Sequence, residues 1–154
     1  MTPAFASRRV IVERLAVLEQ MLQQIEQLPL ADEAQFFSDS RNVYTAESCL
    51  RRGLEALLDI GRHILAKGYG IPAGTYKDVA VLLAEQNVLN PEEQKILMQM
   101  AGYRNRLVHF YHEVSPQELY QICVHRLSDF AIVRVAVQRW VRQNPERIDR
   151  SVSE

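Results

Sequence analysis

Arg104, Asn105, Arg106 and His109 stand close together in the stretch MAGYRNRLVHFYHEV, residues 100–114, and their types could do chemistry. Arginine and histidine suffice to cleave RNA without a metal. Histidine can take a proton from a ribose 2′-hydroxyl, or give one to the leaving oxygen, near neutral pH. The fixed fork of an arginine can hold the phosphate and stabilise the charge that grows on it in the transition state. The same residues on a solvated helix face would do neither. Tyr103, Leu107 and Val108 are core-type residues, however, so the polar groups must emerge between buried positions near a helix end.

Spacing constrains the idea. Five residues of continuous helix turn the chain by about 500°, so Arg104 and His109 would point roughly 140° apart. Either the helix breaks between them, or two copies meet across a symmetric dimer axis and each supplies part of the site. Other chemistries lack their residues: there is no Gly-rich phosphate loop, no GxSxG elbow and no HExxH. His109, His112 and Glu113 could approach a metal, but with no cysteine and no fixed carboxylate partner they make a weak ligand set, and no cofactor is expected.

The elements that must position these residues are helical. Val10, Ile11, Leu15, Leu18, Leu22 and Ile25 recur at helical steps and predict a first helix over about 8–27. A long second helix follows over about 39–67 and stops at Gly68, where KGYGIPAG marks a turn. Thr75 with Asp78 caps a short third helix over about 76–86. Asn90-Pro91, with Glu92 and Glu93 at the positive end of the dipole, opens a fourth that runs towards Tyr111. Ser115, Pro116 and Glu118 open a fifth, which fades near Asn144-Pro145. No strand period appears, so the expected fold is all-α: an antiparallel bundle of about five helices, one domain over 1–154 with an arginine-rich C-terminal helix and short tail.

Composition agrees with a packed core, with 24% charged residues and a net charge of −1 that gives no global field for nucleic acid. Between Arg126 and Arg150, six arginines face only Asp129, Glu146 and Asp149, which suggests either an anionic partner or a solvated face. Cys49 and Cys123 lie in apolar-periodic segments and read as small buried hydrophobes. The N-terminal MTPAFASRRVIVERL lacks a signal peptide's apolar region and no run spans a bilayer, so a cytoplasmic location without membrane contact is expected. Glu55 and Asp59 could face the motif, or pair Arg52 or Arg62; Trp140 and Tyr103 read as packing residues.

RNRLVHFY (104–111) carries an arginine, four residues, a histidine, one residue and a tyrosine, and so resembles the motif of HepT-type toxins in the HEPN superfamily. AESCLRRGLEALLDIGRHILA (46–66), TYKDVAVLLAEQNVL and HEVSPQELYQI resemble the family's flanking segments, so the likeness covers most of residues 40–135. The resemblance implies an all-helical, metal-independent endoribonuclease acting on RNA as a homodimer. Its partner would be a minimal nucleotidyltransferase antitoxin of the MntA type. It implies Arg104 and His109 as catalytic residues, Asn105 as supporting residue, and Tyr111 as the residue to which the antitoxin transfers AMP. One departure is Glu47-Ser48, where many relatives carry Glu-Arg. The competing expectation is a non-catalytic nucleotide- or partner-binding subunit of a two-component nucleotidyltransferase.

Overall fold

A computed structural model describes residues 5–109 and 114–150, the side chain of His109 excepted. Tyr111 and His112 therefore lie outside the described residues. Seven α-helices occupy the described chain: α1 (Arg8–Glu26), α2 (Glu33–Ser38), α3 (Ser40–His63), α4 (Tyr76–Glu85), α5 (Pro91–His109), α6 (Pro116–His125) and α7 (Leu127–Gln143). A π-helical turn, Ile64–Gly68, prolongs α3, and a 3₁₀ turn, Pro145–Arg147, follows α7. The expected all-α bundle is the fold, and the predicted starts of α1, α3, α4, α5 and α6 agree to within a residue.

Side chains at the expected caps close these starts. The Thr75 hydroxyl accepts from the Asp78 amide while Asp78 accepts from the Thr75 amide. Asn90 and Glu93 exchange the same pair of bonds at 2.8 Å each, and Ser115 accepts from the Glu118 amide. Each cap satisfies amides that the first helical turn leaves without partners.

Two expectations need correction. The fifth predicted helix is two, α6 and α7, divided at Arg126, whose φ of −117° and ψ of 2° leave the helical region. No glycine or proline marks that point; tertiary packing sets it. On α6, Tyr120 packs on Phe36 and Phe37 and donates to the Leu30 carbonyl, whereas α7 turns to bury Phe130, Val133, Val137 and Trp140. The predicted connection between the first two helices contains α2, capped by Asp32 through the Gln35 amide, with Phe36 fully buried. Only two apolar residues of this helix face the core, too few to register as a period.

The hub is α3, which buries Gly53, Leu54, Ala56, Leu57, Leu58, Ile60 and Gly61 and contacts every other helix. Gly61 lets α4 approach: a Cβ there would lie 2.7 Å from Val79 Cγ1 and 2.9 Å from Leu83 Cδ1. A methyl group there would force Val79 and Leu83 of α4 away from α3.

The two ends of the described chain are clasped. Ala6 and Ile148 form an isolated parallel bridge, the Ala6 amide donating to the Arg147 carbonyl and the Asp149 amide to the Ala6 carbonyl. The Ser7 amide donates to His63 Nε2 at 2.8 Å, so the neutral ring acts as acceptor. Burial, with Lys67 and Arg14 nearby, lowers the His63 pKa against the opposing pull of Asp149. The unfolded chain thus binds this proton at higher pH than the folded one, and folding stability falls as pH drops through the ordinary imidazole value of about 6.5. Denaturant titrations at pH 7.5 and 5.5 should show a larger loss for wild type than for His63→Gln, whose side-chain oxygen accepts without titrating; equal losses would remove His63 from the account.

Candidate active site

The motif arginine at position 104 sits on α5, where its side chain is 19% exposed and engages three neighbours from different elements. Its guanidinium carbon lies 4.7 Å from the ring centroid of Tyr76 at the start of α4. Glu55 Oε2, on α3, stands 3.8 Å from Nη2, beyond hydrogen-bond distance, and Nη1 makes a long 3.4 Å bond to Asn105 Oδ1. Nε is buried with no hydrogen-bond partner. Arg104 is therefore held by a ring face, an ion pair with Glu55 and a long bond to Asn105, and among the described residues no carboxylate takes it in a close fork.

Arg106 contrasts with it. Glu118 takes Arg106 in a fork, Nη1 to Oε1 at 2.8 Å and Nη2 to Oε2 at 2.6 Å. That pair holds the Glu118 carboxyl below its usual range and ties α5 to α6. One of the two motif arginines is closed by a carboxylate fork and the other is not.

The backbone of α5 is helical without interruption to His109. A break between Arg104 and His109, one of the two ways to bring them together, does not occur. On such a continuous helix two positions five residues apart stand about 140° apart around the axis. Asn105 lies beside Arg104 as the sequence suggests, while Tyr111 and the side chain of His109 lie outside the described residues.

Sequence reasoning missed Tyr76, and underrated Glu55. Tyr76 is 8% exposed and its phenol donates to Asp59 Oδ1 at 2.7 Å. Burial first, then that bond, push the phenol up to about 12. Asp59 also stands 3.7 Å from Arg14 and 3.9 Å from Arg62, as one of the expected pairings required. Glu55 pairs with Arg51 at 2.9 Å rather than with Arg52, and does face the motif through Arg104. No spacing along the chain pairs Tyr76 or Glu55 with Arg104, because these contacts run between α3, α4 and α5.

The C-terminal arginines are largely engaged within the chain. Arg134 bonds Glu19, Arg139 forks onto buried Glu93 at 2.8 and 2.9 Å, and Arg147 donates to the Gly68 carbonyl while lying over the Tyr69 ring. Arg126, Arg142 and Arg150 remain exposed. Trp140 is buried and donates to the Tyr69 hydroxyl, and Tyr103 packs against the core. Both cysteines are buried and free, with thiol pKa values raised by burial. Among the described residues no three His, Cys, Asp or Glu side chains cluster around a metal-sized site, and no helix is long and apolar enough to cross a membrane.

Comparison with known proteins places the chain in a family. A family model described as ribonuclease HepT-like matches residues 18–137, which takes in α3, α4, α5 and the whole motif. The chain belongs to the ribonuclease HepT-like family. An mRNA nuclease HepT from Shewanella oneidensis is 30% identical over 122 residues, 79% of this chain and 90% of that protein. A tRNA nuclease HepT from Aphanizomenon flos-aquae is 26% identical over 124 residues, 80% of this chain and 84% of that one. Among solved structures, the tri-AMPylated HEPN toxin of Shewanella oneidensis in complex with its MNT antitoxin superposes with a TM-score of 0.76 at 26% identity, covering 84% of this chain and 97% of that one. HepT membership thus extends over the same helices that build the surroundings of Arg104.

Proposed function

We propose that this HepT-like chain is the toxin of a cytoplasmic toxin–antitoxin pair, a metal-independent endoribonuclease that a nucleotidyltransferase antitoxin neutralises by transferring AMP to Tyr111. The observation that carries the catalytic part is the contrast between the two motif arginines. Arg106 is closed by Glu118, whereas Arg104 is held over Tyr76 with its charge available for a phosphate.

In this reading His109 takes the proton from a ribose 2′-hydroxyl as that oxygen attacks the adjacent phosphorus. The bond from phosphorus to the 5′-oxygen breaks, and that oxygen leaves with a proton from water, which the imidazolium restores. The products are a 2′,3′-cyclic phosphate and a 5′-hydroxyl. Arg104 stabilises the charge on the pentacoordinate phosphorus, with Asn105 as its polar partner. Because α5 is continuous, the arginine of one copy and the histidine of another are assigned to one phosphate across the axis of a symmetric dimer.

Expression without the antitoxin tests the proposal. Wild type should arrest growth and degrade RNA, while Arg104→Ala and His109→Ala should lower RNA cleavage by about a hundredfold or more, the usual cost of removing a transition-state donor or general acid–base group. Intact RNA in all three strains would reject the nuclease. Nucleotide binding that needs Arg104 while RNA stays whole would favour the binding-subunit alternative.

A further inference from the structure

Tyr76 is outside the motif and outside the helix that carries it, yet three helices meet at its ring. It is the first residue of α4, set just inside the Thr75 cap. The guanidinium carbons of Arg62 and Arg104 lie 4.5 Å and 4.7 Å from the ring centroid. Its hydroxyl is fixed by Asp59 on α3, which Arg14 of α1 also approaches. The close passage of α4 at Gly61 brings the ring to this point.

We propose that Tyr76 is the positioning residue for Arg104: its ring face sets the plane of the guanidinium, and Asp59 sets the ring, so that the Nη atoms stay directed to the RNA phosphate. The inference rests on the assignment of Arg104 to that phosphate. A ring suits this task better than a carboxylate. A carboxylate at close range would occupy two N–H donors and cancel the charge, as Glu118 does to Arg106. An aromatic face attracts the cation through its quadrupole and uses none of the donors.

The other contacts of Arg104 fit a group held in place without being neutralised. Glu55 is 3.8 Å away and already takes Arg51 at 2.9 Å. Nε is buried without an acceptor, an arrangement that costs free energy unless something else favours the cation there. The ring is that something. Tyr76 is not a platform for a nucleobase, because it is buried and already covered by guanidinium groups. Its phenol, raised to about 12, keeps its proton at physiological pH, so the bond to Asp59 does not titrate in the working range.

The experiment combines kinetics on RNA with an NMR view of Arg104 in the full-length protein. Tyr76→Leu, which removes the ring, should lower kcat about tenfold with KM within about twofold, since the interaction matures in the transition state. Tyr76→Phe, which keeps the ring, should stay within about threefold of wild type. The Arg104 Nε–H signal, assigned by its disappearance in Arg104→Lys, should be shifted upfield by the ring in wild type and Tyr76→Phe, and should return to the free-arginine position in Tyr76→Leu. A folded Tyr76→Leu with wild-type kcat overturns the proposal. So does a Tyr76→Phe as impaired as Tyr76→Leu, or an unshifted Arg104 signal in wild type. The last measurement needs no substitution at Tyr76, so it decides even if Tyr76→Leu does not fold. Wild-type activity in Arg104→Ala would reject the catalytic role of Arg104, while the NMR signal would still report whether Tyr76 holds it.

Discussion

An equimolar mixture of Arg104→Ala and His109→Ala, each inactive alone, should recover about a quarter of wild-type ribonuclease activity after co-refolding. The expectation comes from the continuous helix between the two residues. If a site takes its arginine from one copy and its histidine from the other, a mixed dimer contains one site with both residues intact and one with neither. Random pairing makes half of the dimers mixed, and each of those has half its sites. Were both residues to act within one chain, the mixed dimer would contain two broken sites and the mixture would stay inactive. Cleavage of a fluorescent RNA by the separate and mixed proteins distinguishes the two. No recovery, with mixed dimers demonstrated by native mass spectrometry, would reject the shared site.

The second large effect concerns silencing. With the antitoxin present, wild-type chain should gain mass in AMP-sized steps and lose its toxicity, whereas Tyr111→Phe should gain none and stay toxic. In the transfer the Tyr111 oxygen attacks the α-phosphorus of ATP and pyrophosphate leaves, so phenylalanine has no nucleophile to offer. Each adduct places a negative phosphate and a bulky base two residues from His109, where both charge and volume oppose an RNA strand. Tyr111→Phe should keep its ribonuclease activity without the antitoxin, which separates silencing from catalysis. Intact-mass measurement after co-expression gives the answer directly. Full modification and neutralisation of Tyr111→Phe would move the modification to another residue.

The parts of this fold written in local chemistry were legible in the sequence. Asn90 with Glu93, Thr75 with Asp78, and Ser115 with Glu118 announce helix starts within four residues, and the structure places a start at each. The division at Arg126 was not legible, because nothing in HRLSD opposes a helix and the change of direction serves partners on α2, α3 and α5. The candidate site divides in the same way. Arg104 and Asn105 could be picked out as neighbours in a motif. Tyr76 and Glu55 belong to it only because α3 and α4 bring them there, and no spacing along the chain records that. Of the arginines between 126 and 150, Arg134 and Arg139 pair with Glu19 and Glu93, which are far away in sequence, whereas Arg126, Arg142 and Arg150 are exposed as a solvated face requires.

The clasp at the chain ends also decides where this protein gives way first. The Ala6–Ile148 bridge and the bond from the Arg8 amide to Asp149 close nearly the longest loop the chain can form, so they recover the least local structure for the entropy they remove. Helices α3, α4 and α5, by contrast, pack as near neighbours in sequence, α3 against α4 through the buried Gly61 seam. Opening of the clasp is therefore the lowest-energy excursion, and fast amide exchange should be confined to the ends. The ring of Tyr76 and the guanidinium of Arg104 belong to the slowest-exchanging unit, so a fluctuation that loosens the termini leaves the proposed chemistry assembled.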